Sequence, residues 1–132
     1  MNTKYLMISS AVVTGILGLT ASFLPTEILK IMGATGNELP TLFVQITGAL
    51  YLKFTMMNWM AKAVLIGGIY AKPLAMGNCL HFTVAALALL KFAINSQPSM
   101  YVWGATILYL IFAVLFGLVI FTSPKQVTAN SI

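Results

Sequence analysis

The residues able to do chemistry in this chain are few, and most lie in two neighbouring apolar runs. His81 is the single histidine, and it shares its run with Met76, Asn78 and Cys79. A histidine inside an apolar segment can relay a proton, hold a ligand by hydrogen bonds, or sit neutral and bonded within a helix bundle. The preceding run carries a stripe. Thr41, Gln45, Gly48, Tyr51, Thr55, Asn58 and Lys62 recur at three- and four-residue steps, which places them on one helical face. Polar groups at that spacing waste hydrogen-bonding capacity in lipid, so they are expected to face other helices, a cavity or a partner subunit. Lys53 stands on the opposite face as an intramembrane charge with no acid placed to pair with it. It is expected to be neutral, face water, bind an anion or pair with another subunit, unless the span ends near Leu52 and Lys53 is a boundary lysine.

No catalytic set accompanies these residues. The sequence has no Gly-rich phosphate loop, no Ser–His–acid set and no zinc-finger spacing. Met56, Met57, Met60, Met76, Cys79 and His81 are soft or borderline ligands suited to Cu(I), but they form no ligand repeat. No residue is assigned as catalytic or metal-binding, and no cofactor is expected.

The composition says where these residues must work. Of 132 residues, 60% are hydrophobic and 7% charged, against roughly 25% charged in soluble domains. All seven basic residues are Lys, and Glu27 and Glu38 are the two acids. Without Arg there is no bidentate clamp for phosphate or carboxylate, and without Asp there is little hard-metal or acid–base chemistry. The net charge of +5 is carried by lysines scattered singly at the ends of apolar runs. That pattern suits anionic lipid headgroups rather than nucleic acid. Cys79, being alone, forms no intramolecular disulfide.

Four apolar runs position the residues, at about 5–24, 40–61, 74–94 and 100–122, each close to the ~20 residues of a spanning helix. The expected architecture is all-α: one domain over 1–132, an integral-membrane four-helix bundle with a short interfacial helix between the first two spans. Pro25 follows the first run, Glu38 and Pro40 open the second, Gly67, Gly68 and Pro73 precede the third, and Ser99 is placed to cap the fourth. The first run could instead be a cleaved signal peptide, although it is longer than the usual apolar region. Over Pro25–Gly33, Leu24, Ile28, Ile31 and Met32 make an apolar side, Thr26, Glu27 and Lys30 a polar one, and Gly33 a stop. With both termini cytoplasmic, Lys4, Lys62, Lys72 and Lys125 lie inside, and Lys30 and Lys91 outside.

Depth matching links the two runs. Thr55 and His81 both lie about 10 Å from the same predicted boundary, so the stripe's inner half meets Asn78 and His81. Ala11, Gly15, Gly18 and Ser22 form a small-residue face on the first helix, suited to close packing within the bundle or to self-association.

The segments Gly48-Ala49-Leu50-Tyr51, Asn58-Trp59-Met60-Ala61-Lys62, Gly67-Gly68-Ile69-Tyr70-Ala71-Lys72-Pro73 and Gly77-Asn78-Cys79-Leu80-His81-Phe82 follow a Phe23-Leu24-Pro25 turn. Together they resemble small bacterial four-span membrane proteins of unknown function such as the DUF4345 family. The resemblance spans most of the chain. It implies the four-helix plan and carries no assigned activity, catalytic residue or binding residue.

The leading expectation is a non-enzymatic accessory, interaction or lipid-binding subunit of a bacterial-type inner membrane. It would be homo-oligomeric or part of a larger membrane complex, with membrane lipids and not nucleic acid as partners. Gln45, Thr55, Asn58, Lys62, Tyr70, Lys72, Asn78 and His81 would form a polar groove between the second and third spans. The alternative is an oligomeric small-solute or ion transporter lined by the Gln45–Asn58 stripe. A third reading is a lipid- or quinone-active membrane enzyme using His81.

Overall fold

A computed structural model of the chain describes residues 3–34, 37–63, 71–96 and 99–122. Its elements are all helical: α1 (Thr3–Phe23), α2 (Pro25–Ile31), α3 (Glu38–Ala61), α4 (Lys72–Ser96) and α5 (Met100–Thr122). Among the described residues α1, α4 and α5 are long and apolar enough to cross a membrane. α3 has the length, 24 residues or about 36 Å at the helical rise, but it is not among the apolar candidates. Its polar stripe, together with Glu38 and Lys53, lowers its mean hydropathy. Hydropathy thus supports three of the four expected spans. The outward faces are apolar: Ile107, Ile111, Val114, Leu118 and Phe121 of α5 are all exposed.

The helices associate as two close pairs, α1 with α3 and α4 with α5. Small residues make the first pair possible. A Cβ added at Gly48 would lie 2.5 Å from Ser22 Oγ, 2.7 Å from Ser22 N and 2.9 Å from the Gly18 carbonyl oxygen. One added at Gly18 would lie 3.0 Å from the Leu52 nitrogen, and one at Gly15 3.2 Å from Thr55 Cγ2. The small-residue face of α1 is therefore occupied by α3, and close packing within the chain accounts for it.

The second pair is filled by aromatic rings. Phe82 of α4 stacks on Phe112 (4.9 Å, 22°) and Phe116 (5.7 Å, 10°) of α5. Phe82 and Phe116 are fully buried and join Met7, Ala75 and Val119 in the core.

α2 turns the chain between α1 and α3. Pro25 sits in its first turn, where its missing N–H costs nothing. Gly33 (φ 74°) closes it: the Gly33 N–H donates to the Lys30 carbonyl and the Ala34 N–H to the Leu29 carbonyl, a Schellman stop. The packed side differs from the expected one. Pro25 and Leu29 are buried, whereas Leu24 and Ile31 are exposed, because α2 docks through its i, i+4 pair. Ser99 also departs from expectation. Its carbonyl accepts the Val102 N–H, but its hydroxyl donates to the Ile31 carbonyl at 3.3 Å, tying the start of α5 to the end of α2.

The α1–α3 crossing gives a paired test. Gly48→Ala is expected to cost about 1–3 kcal/mol through overpacking against backbone. Gly104→Ala, where an added Cβ meets nothing within 4 Å, should be neutral or slightly stabilising. Thermal or denaturant unfolding in detergent separates the two. Equal stability of both variants would contradict the close crossing.

Candidate functional site

Three polar layers are stacked along the bundle axis, and the number of hydrogen bonds each can make distinguishes them. The first is saturated. Asn58 of α3 donates through Nδ2 to Asn78 Oδ1 (2.9 Å) and to Ser10 Oγ (3.1 Å). Asn78 of α4 donates through Nδ2 to Asn58 Oδ1 (2.7 Å) and to the Leu74 carbonyl (2.9 Å). Ser10 of α1 passes its own proton to the Met7 carbonyl (3.0 Å). Both amide oxygens accept and all four amide protons donate, and the three side chains are fully buried. A buried polar group without partners costs about 1–3 kcal/mol in protein mutational data, and here none is left over. This layer joins three helices and has no donor spare for a ligand.

The second layer is nearly saturated. Thr14 Oγ1 and Thr55 Oγ1 are 3.0 Å apart, and each is also in range of a backbone carbonyl of its own helix, Ser10 (2.8 Å) and Tyr51 (2.9 Å). Two protons serve three bonds, so one hydroxyl donates across the interface and gives up its backbone bond. Thr55 therefore faces α1, not α4.

The third layer is not saturated. The Tyr51 hydroxyl of α3 is hydrogen-bonded to the Tyr109 hydroxyl of α5. Two phenols hold two protons and their mutual bond uses one, so one O–H has no partner among the described residues. His81 lies against the same pair. Its ring stacks on Phe54 (4.9 Å, 28°), meets Tyr51 edge-on (5.3 Å, 83°) and is 6.1 Å from Tyr109. Its Nε2 is buried and unpartnered among the described residues.

A cavity of about 580 Å³ begins at this third layer. Tyr51 and Tyr109 line its deep end, while Ile28 and Met32 of α2 lie at the other. From Phe43 to Tyr51 along α3 it runs about 12 Å at the helical rise. Ala85 and Ala88 of α4, Ala105 of α5 and Ala21 of α1 contribute its walls. Small side chains at facing positions leave the volume open, whereas Phe82, Phe112 and Phe116 fill the equivalent space at the opposite end.

The expected groove residues divide accordingly. Asn58 and Asn78 meet as depth matching expects, and Thr55 turns to α1. His81 lies one turn further along α3, against Tyr51 and Phe54. Gln45 is exposed. Thirteen residues at about 100° each put it roughly 140° from Asn58 on an ideal helix, so the two stand at opposite edges of a broad stripe. Lys62 rests on the Trp59 ring, 3.3 Å from its centroid, and Lys72 is exposed. Tyr70 lies outside the described residues. Lys53 is exposed and forms no ion pair among them. Met76 is exposed and Cys79 half-buried, and no three His, Cys, Asp or Glu side chains converge among the described residues. Tyr109 was missed by sequence reasoning. Its signal was position: it stands in the middle of α5, far from the span ends where an aromatic belt places tyrosine.

Comparison of the chain with protein-family models, with curated proteins and with solved structures gives no match.

The first layer makes a measurable claim. Asn58→Ala and Asn78→Ala should each cost about 1–3 kcal/mol by stranding the other amide. Their double-mutant cycle should return a coupling of about 1–2 kcal/mol, above the ~0.6 average of interhelical bonds in membranes. Unfolding of the four proteins in mixed micelles measures it. Additive losses would mean that the amides act independently.

Proposed function

We propose that the protein is a small multi-pass membrane protein that holds a single amphipathic lipid in the cavity between its two helix pairs, acting as a non-enzymatic lipid-binding or accessory subunit. In this reading α3 is the fourth span, α2 lies along the outer interface, and both termini are cytoplasmic in a bacterial-type inner membrane, as the lysine distribution favours. The plan is that of the small four-span proteins that the sequence resembles.

The observation that carries the reading is the cavity itself. Its volume of about 580 Å³ falls within the roughly 300–1,000 Å³ typical of ligand pockets. Its walls are apolar, with a few hydroxyls at one end, the usual layout of a site that orients a largely apolar ligand. Ile28 and Met32 place α2 at the opposite end, and Phe43, Thr47 and Ala88 on the walls are exposed, so the cavity is open along its side.

The expected polar groove contributes support of another kind. With Asn58 and Asn78 bonded to each other and to Ser10, its centre is architecture, and ligand contact moves one layer outward to Tyr51 and Tyr109, which line the cavity. The transport alternative loses its deep lining for the same reason, since Asn58 is fully buried and has no free donor to offer a passing solute. The His81 enzyme reading lacks a carboxylate beside the ring among the described residues.

Photolabelling tests the proposal. A 1-hexadecanol carrying a terminal diazirine, added to the protein in nanodiscs, is expected to label Val44, Ala88 and Phe92 inside the cavity at saturating, competable levels. Labelling confined to lipid-facing positions such as Val114 and Leu118, and not displaced by unlabelled alcohol, would sink it.

A further inference from the structure

The unmet hydrogen-bonding capacity and the empty volume coincide, and together they restrict what the occupant can be. None of the described residues lining the cavity carries a charge. A phosphate or carboxylate head drawn to the deep end would stand uncompensated in apolar surroundings. Towards α2 the nearby Lys30 is already held by Glu27 at 2.9 Å. A pure hydrocarbon would fit the walls but leave the spare tyrosyl O–H unmet. The deep end therefore asks for a neutral oxygen acceptor at the leading end of an apolar molecule.

Two further features specify its shape. Phe43, Phe92, Tyr51 and Tyr109 bring aromatic faces to a cavity otherwise lined mainly by aliphatic side chains, which suits a flat ring held by stacking. Thr47, which also lines the cavity, stands one turn from Tyr51 on the same face of α3, about 5–6 Å away at Cβ. Its hydroxyl now donates to the Phe43 carbonyl at 2.8 Å and can be redirected by rotation about χ1. Thr47 thus offers a second hydroxyl on the same wall of the cavity.

We infer that the occupant is a neutral quinone-type amphiphile, its ring seated at the Tyr51–Tyr109 end with one carbonyl accepting the spare tyrosyl O–H, and its tail directed towards α2. This inference rests on the cavity reading above and concerns binding, with no electron transfer invoked.

Equilibrium titration in neutral phosphatidylcholine nanodiscs, with protein-free discs as the partitioning baseline, tests it with two probes that share a tail. Decylubiquinone carries the ring carbonyls and decylbenzene does not. The wild-type chain is expected to bind one decylubiquinone above baseline and to prefer it to decylbenzene by about tenfold or more, the worth of one hydrogen bond to a buried acceptor. Tyr51→Phe with Tyr109→Phe should erase that preference while leaving decylbenzene binding unchanged. Equal affinity for the two probes, or a preference that survives the double variant, would overturn the quinone assignment. Ala88→Trp, which fills the cavity wall, distinguishes that failure from failure of the cavity reading. If it abolishes binding of both probes the cavity stands, and if it affects neither the cavity reading itself is wrong. Each variant is checked for fold by thermal melting. Should the double variant not fold, the single Tyr→Phe changes are read in its place, and the wild-type preference alone still decides.

Discussion

The doubled amide bond between Asn58 and Asn78, closed on the α1 side by Ser10, is the constraint around which the molecule is organised. It is the point where α1, α3 and α4 are bonded through side chains at one level. Neither asparagine can move along its helix axis without stranding two or more polar groups, because every donor of the pair is in use and each amide oxygen accepts from the other side chain. The relative height of the two helix pairs is thereby fixed. Apolar packing alone would not fix it, since lipid tails are as apolar as the leucines they would replace and the driving force between helices in a membrane is weak.

With one end so fixed, the bundle is dense there and open at the other. Beside the amides, Phe82, Phe112 and Phe116 stack within the α4–α5 pair. Towards α2 the facing positions become Ala85, Ala88, Ala105 and Ala21, whose side chains cannot span the gap between pairs. Meanwhile Gly18 and Gly48 hold α1 and α3 backbone to backbone, so α3 cannot swing across to fill the space. The cavity is what remains when a close α1–α3 crossing and an alanine-lined α4–α5 pair are set at a height chosen by Asn58 and Asn78. Its inner limit is the level at which polar groups cease to be mutually satisfied.

Much of this is legible in the chain, in proportion to how local the cause is. Apolar runs, the small-residue face of α1 and the stop at Gly33 follow from spacing, because neighbours along a helix are set by 3.6-residue geometry. The meeting of Asn58 with Asn78 follows from depth counted from a shared boundary. Gln45 shows the limit of that counting, since three- and four-residue steps allow a stripe about 140° wide, and Gln45 and Asn58 lie at its opposite edges. Thr55 shows another, because the consecutive order of α3 and α4 suggests a partner in α4, whereas α1 lies closer. Tyr109 and the cavity were out of reach for a stronger reason. The Tyr51–Tyr109 bond spans 58 positions between helices that no sequence feature pairs, and alanines that line a void read the same as alanines that pack.

The same accounting bears on how α3 could enter a membrane. Taken alone, α3 presents Gln45, Thr55, Asn58 and Lys53 to lipid and falls short of the apolarity of the other long helices. Beside α1 it gains a partner for Thr55 and for one Asn58 proton, and beside α4 it gains the rest of the amide. The stripe that makes α3 a poor span in isolation thus becomes its means of attachment once α1 and α4 are present. Lys53 and Gln45 gain nothing of the kind from these contacts, and both are exposed. They lie apart from the face that carries Asn58, which α1 and α4 fill.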